Sequence, residues 1–152
     1  MVTTYESEPH RSLGNLDEQD NQLIMSPHGW LDHAIIHSAQ VLLQEINPLI
    51  EGFQRLTLGP VQNFGGVSGE FVQILHTGQN HWVCVSSEGC IPGTVTLFDS
   101  LCHDIISQEV EDQVRNLLVH TFQQIEYAPC QQQTNGSDCG AFATGLVFGF
   151  NP

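Results

Sequence analysis

The sequence has no lysine, and three arginines face 17 acidic residues, giving a formal charge of −14 over 152 residues. Phosphate recognition needs clustered cations, so neither nucleic acid nor an anionic membrane surface is expected as a partner. A basic partner surface is the natural match. No run approaches the ~20 apolar residues of a membrane span. The opening stretch, MVTTYESEPHRSLGNLDEQDNQ, lacks the basic start and apolar centre of a signal peptide. It reads as an acidic, flexible tail over residues 1–22. No CxxC occurs, and the cysteines are odd in number: Cys84, Cys90, Cys102, Cys130 and Cys139. That pattern indicates free thiols in a reducing compartment, hence an intracellular location, nuclear or cytoplasmic. Cys84, Cys90, Cys102 and Cys130 read as buried small residues. Cys84, Cys90, Cys102 and His103 match no compact zinc spacing, so no metal site is assigned. The glycine-rich LGPVQNFGGVSGE lacks a Lys-Ser/Thr ending and no helix follows it, so it is a loop before a strand rather than a phosphate loop.

The chain is long enough for one domain with a core, here placed over residues 23–152. In LDHAIIHSAQVLLQEIN, Leu31, Ile35, Leu42 and Ile46 recur at helical spacing, and Pro48 ends the helix. FVQILHT, HWVCVS and TVTLFDS read as three short strands. SQEVEDQVRNLLVHTFQQ reads as a second helix. Ser107 is its cap, acidic residues fill its first turn, and Val110, Val114, Leu117, Leu118 and Ile125 form its buried stripe. IEYAPC is a further strand. The apolar run after Cys139 has no polar face and reads as a buried helix. Helix, strands, helix, strand and helix in this order make an α+β domain.

Two strands carry candidate chemistry. If HWVCVS and TVTLFDS form an antiparallel hairpin centred on Cys90, Val85 faces Val95, Val83 faces Leu97, and His81 faces Asp99. Directly opposed side chains have Cβ atoms about 4.5–5.5 Å apart, close enough for a carboxylate to hold an imidazole in one tautomer. Trp82 and Phe98 become a cross-strand pair on the other face. A slip of one residue destroys the match. The third element is QTNGSDCG, residues 133–140, leading straight into AFATGLVFGF. A cysteine in the first turn of a helix lies in the positive end of the dipole, which favours thiolate. The Asn135-Gly136 turn can return the chain across that helix start, bringing the Gln133 amide near the thiol. Cys139 as nucleophile, His81 as base, Asp99 as orienter and Gln133 as oxyanion donor form a complete catalytic set.

HW at 81–82, FDS at 98–100 and QTNGSDCG at 133–140 resemble the catalytic motifs of the ubiquitin-like-protein-specific cysteine proteases. This is the SUMO/sentrin protease family, which includes transposon-derived members. The motifs stand in the family's order, with Gln133 six residues before Cys139, and the resemblance spans roughly residues 29–150. It implies a papain-like α+β protease fold, with a central mixed sheet and the nucleophile at the N-terminus of a buried helix. It implies His81, Asp99 and Cys139 as triad and Gln133 as oxyanion residue. The implied reaction is cleavage after the C-terminal Gly-Gly of a SUMO-like modifier, by precursor processing or deconjugation. No metal or cofactor is needed. The implied partners are the modifier and its conjugates, and the expected working form is a monomer.

Trp82 would roof the channel that admits Gly-Gly, and Trp30 would line its other side. Where the family often has Trp-Leu-Asn-Asp, this chain has Trp30-Leu31-Asp32-His33. The acid sits one position early and a histidine takes its place, which puts substrate affinity or modifier identity in question. Family domains commonly continue with more helix beyond the point reached by Pro152, so a C-terminally incomplete or shortened domain is expected. Two other readings stay open: a viral-type cysteine endoprotease or acyltransferase with the same triad, and a modifier-binding module without turnover.

Overall fold

The computed structural model describes residues 33–78, 81–101 and 106–128. Helix α1 (His33–Ile46) comes first, then the two-residue strand β1 (Glu51–Gly52) and a 3-10 turn (Leu56–Leu58). Strands β2 (Phe71–His76), β3 (Trp82–Ser86) and β4 (Thr94–Phe98) follow. Helix α2 (Gln108–Leu118) and strand β5 (Gln124–Tyr127) complete the described chain. The five strands form one mixed sheet in the order β1-β2-β3-β4-β5. β2, β3 and β4 are antiparallel neighbours, while β1 runs parallel to β2 and β5 parallel to β4. The parallel β4–β5 pair is joined through α2, as a parallel connection requires.

The strand period of two sorts the core into two layers, one on each face of the sheet. Ile36 and Leu43 of α1 pack with Val72 and Ile74 of β2 and with Trp82 and Cys84 of β3. On the other face Val110, Val114, Leu117 and Leu118 of α2 cover Phe71, Leu75, Val83, Val85, Val95 and Leu97. Every residue of β3 is therefore buried, and from Trp82 to Val85 its sequence reads apolar rather than alternating.

α1 turns a different face inward from the one its apolar spacing suggests. The buried positions are Ile35, Ile36, Gln40 and Leu43. Ile46 is half exposed, and Leu42 lies only partly buried. A glutamine at the centre of the inward stripe hides that stripe from hydropathy. Gln40 earns its place by hydrogen bonding. Its Oε1 accepts from Ile74 N at 3.1 Å and from Gln73 Nε2 at 3.2 Å, and its Nε2 donates to Gln54 O at 2.8 Å. Gln73 Oε1 in turn accepts from Gln54 N at 2.7 Å. This network ties α1 to β2 and to the segment that leaves β1.

That segment needs an unusual backbone. Gly52 has φ +95°, and a Cβ there would meet Val72 O at 2.1 Å. Phe53 follows with φ +53°, and its side chain enters the core on the α1 face. α2 begins as the sequence indicates: Ser107 Oγ accepts from Val110 N at 3.3 Å, with Glu109 and Glu111 in the first turn. Ile125 belongs to β5 rather than to the α2 stripe, although it packs against the same cluster. The tail at 1–22 and the helix expected after Cys139 lie outside the described residues. So does the question of where the domain ends.

Candidate active site

His81 and Asp99 come together at one end of the sheet. His81 directly precedes β3, and its carbonyl accepts from Thr77 N at 2.9 Å, closing the turn that joins β2 to β3. Asp99 directly follows β4. Its Oδ1 accepts from Leu101 N at 2.9 Å, the local turn that an aspartate favours two residues ahead of itself. The same Oδ1 lies 2.6 Å from His81 Nε2, and both side chains are only 5% exposed. A bond this short between buried groups is charge-assisted. A carboxylate can only accept, so His81 Nε2 carries the proton, and Nδ1 is the nitrogen able to exchange one with a thiol.

The register that brings the pair together differs from the one read from the sequence. The pairs are Cys84↔Phe98, Val85↔Leu97 and Ser86↔Thr96, two residues away from a hairpin centred on Cys90. A shift of two leaves every side chain on its expected face, so the Val–Leu contacts and the His–Asp contact survive with new partners. Trp82 does not pair with Phe98. Its cross-strand partner is His76 of β2, with ring centroids 4.6 Å apart and planes at 74°. The shift arises in the 87–93 connection. There Cys90 N donates to Ser87 O at 3.0 Å and Thr94 N to Ile91 O at 3.1 Å, making two turns instead of one symmetric loop. Cys90 in that connection is half exposed, with Sγ 3.2 Å from Thr96 Oγ1, while Cys84 is buried as expected.

Cys139, Gln133, Trp30 and Asp32 lie outside the described residues. His33 is the first residue of α1 and is exposed. Trp82 is 8% exposed, and its indole belongs to the core on the α1 face. One neighbour of the pair was passed over in the sequence. His76 stands beside Trp82 at the end of β2, and burial, then the neighbouring His81, lower its pKa. The signal was present: once Thr77 and His81 close the turn, His76 must face Trp82. Among the described residues no group of three or more His, Cys, Asp and Glu side chains could hold a metal ion.

Among the described residues a mixed five-stranded sheet is covered by a helix on each face, with a buried His–Asp pair at one end. No protein-family model matches the chain, and no curated protein matches it in sequence. Solved structures do. A structure of the SUMO protease Ulp1 with its catalytic cysteine oxidised to a sulfenic acid is 15% identical. It aligns over 98% of this chain and 84% of its own length, with a TM-score of 0.66. The C-terminal Ulp1 protease domain in complex with Smt3, the yeast ortholog of SUMO, is 16% identical, covering 97% and 83% with a TM-score of 0.63. A de-sumoylating protease is 14% identical over 87% of this chain, with a TM-score of 0.64. The chain has an Ulp1-like α+β fold.

Proposed function

We propose that the chain is a thiol isopeptidase or endopeptidase that cleaves after the C-terminal Gly-Gly of a SUMO-like modifier. The observation that carries this reading is the buried His81–Asp99 contact at 2.6 Å, found in an Ulp1-like fold whose sequence also holds the Gln133–Cys139 motif. His81 Nδ1 takes the thiol proton, and the Cys139 thiolate attacks the carbonyl of the last glycine. Gln133 Nε2 and the Cys139 backbone N–H hold the oxyanion. Imidazolium His81 then protonates the leaving amine, and water, deprotonated by the same ring, hydrolyses the thioester. Asp99 keeps Nε2 protonated throughout and stabilises the imidazolium. No metal or cofactor enters these steps.

Trp30 and Trp82 flank the modifier tail in this reading, and Asp32 and His33 take the place of the family's Asn-Asp pair at the start of the first helix. The modifier and its conjugates are the partners, and the thiol chemistry suits a reducing nuclear or cytoplasmic setting. The altered entry helix, with His33 where the family has its second polar residue, favours the reading of a binding module without turnover. Single-turnover incubation with SUMO-like and other ubiquitin-like proteins, each extended by a short peptide beyond Gly-Gly, separates these readings. Release of the extension from a SUMO-like protein supports the proposal. Tight binding with no release, or cleavage of peptides lacking the modifier fold, contradicts it.

A further inference from the structure

We propose that His76 is a positioning residue for the catalytic base: in its neutral form it holds, through Gly78 and Trp82, the turn that carries His81. The inference rests on the reading of His81 as base and goes beyond it.

His81 stands between the end of β2 and Trp82 of β3, so contacts that hold Thr77, Gly78 and Trp82 bear on where its imidazole sits. Thr77 N donates to His81 O at 2.9 Å, and Gly78 N donates to the His76 ring at Nδ1, 3.1 Å. Gly78 has φ +91°, a backbone open to glycine that residues with side chains rarely adopt. The His76 ring also meets the Trp82 indole edge-on at 4.6 Å. Trp82 is the residue after the base, and one peptide plane separates them. His76 thus grips the chain on both sides of His81, at Gly78 before it and at Trp82 after it. Its own backbone is anchored by α2, where Gln113 Nε2 donates to His76 O at 2.8 Å.

The grip needs the neutral ring. An imidazolium has no acceptor at Nδ1, so protonation breaks the bond from Gly78. Charged groups face this site from several elements. His81 stands at the start of β3 with Asp99 behind it, and Glu109 of α2 lies against Gly78, its Cγ 3.3 Å from where a Cβ would sit there. Burial, and then the neighbouring His81, push the His76 pKa below its ordinary value. The neutral form is thereby kept where the enzyme has to work, and acidification adds a second proton beside the base.

Asparagine separates positioning from bulk. Its Oδ1 takes roughly the place of Nδ1, so it can accept from Gly78, but it does not titrate. In His76→Leu, kcat on a Gly-Gly modifier substrate should fall about tenfold or more, as a displaced reacting group implies, with KM little changed. His76→Asn should recover most of that kcat. The acid limb of kcat/KM should steepen towards two protons in the parent chain and towards one in His76→Asn. An acid limb of the same steepness in both, or a His76→Leu chain with the parent's kcat, overturns the proposal. Nitrogen NMR of the histidine rings in the full chain gives a readout free of turnover. His81 should be a single Nε2–H tautomer in the parent and in His76→Asn, and a tautomer mixture in His76→Leu. A His81 spectrum indifferent to His76→Leu also overturns the proposal. Ring spectra that respond as stated in a chain that cleaves no modifier leave the positioning intact and reject the protease reading.

Discussion

His81 meets Asp99 at 2.6 Å although the two are not cross-strand partners. The last ladder pair between their strands is Cys84↔Phe98, and both residues lie beyond it. Their contact is made by side chains reaching across the strand ends, with Asp99 steadied by Leu101 N. The carboxylate therefore does two jobs, aiming the imidazole and supplying a negative charge, and substitutions can separate them. Asp99→Ala removes both and should lower kcat by about 10²–10⁴, the usual contribution of a positioned acid–base group. Asp99→Asn can still accept from His81 Nε2 and Leu101 N, so it should retain far more activity. Without the negative neighbour the imidazolium is less favoured, and the acid limb of the pH–rate profile should move to lower pH. Equal losses in the two variants would show that charge alone matters.

Trp82 has its indole in the core and its backbone next to His81. Trp82→Ala should cost about 3–5 kcal/mol of stability, as for other buried large aromatics. Trp82→Phe keeps most of the volume and should fold. If the indole also covers the modifier tail, Trp82→Phe widens the slot, and Ala-Gly tails should gain on Gly-Gly tails in competition. An unchanged tail preference in the folded Trp82→Phe chain removes Trp82 from substrate contact.

Gln40 is the polar centre of the inward face of α1. Gln40→Leu would leave Ile74 N–H without its acceptor, worth about 1–3 kcal/mol when buried and unsatisfied, while Gln54 C=O keeps the bond from Gln73 Nε2 at 3.0 Å. Urea unfolding should show a loss of that order, while Gln108→Ala, at an exposed helix position, should change little. A Gln40→Leu chain as stable as the parent would mean that apolar packing alone holds α1 to the sheet.

His37 is kept neutral by the fold. Burial first, then the charges of Arg55 and His33, lower its pKa from 6.5 to about 4. Between those values the unfolded chain binds a proton that the folded chain refuses, so stability rises with pH across that window. The contribution is complete above about pH 6.5 and fades as pH falls towards 4. His37→Gln should therefore lose less stability than the parent between pH 6.5 and pH 4 when unfolding free energies are compared at each pH. Parallel losses would show that His37 titrates normally.

The parts of this fold that were legible in the sequence are those set by period and by caps. β2, β3 and β4 stood out as apolar runs bounded by Gly, Pro and Asp, and α2 by its Ser107 cap and its stripe from Val110 to Leu118. The His81–Asp99 contact was legible because alternation on a strand fixes the face of each side chain, and a two-residue register error does not alter that. The register itself was not legible. It depends on how the 87–93 connection folds, and turns there are set by backbone hydrogen bonds that leave only a weak mark on residue type. The inward face of α1 was hidden because Gln40 replaces an apolar residue with a hydrogen-bonded one. β1 was missed because two residues carry no periodicity.

The central claim is that one thiol, Cys139, is activated by the His81–Asp99 pair to attack a modifier tail. The direct measurement is covalent capture of a SUMO-like protein bearing a C-terminal electrophile, with the labelled residue located by peptide mass spectrometry. The account predicts a single adduct at Cys139 in the parent chain, much slower capture in His81→Ala, and none in Cys139→Ala. Cys84 and Cys90 should remain unlabelled throughout. An adduct that persists in Cys139→Ala, or capture by the parent chain that is indifferent to His81→Ala, would contradict it.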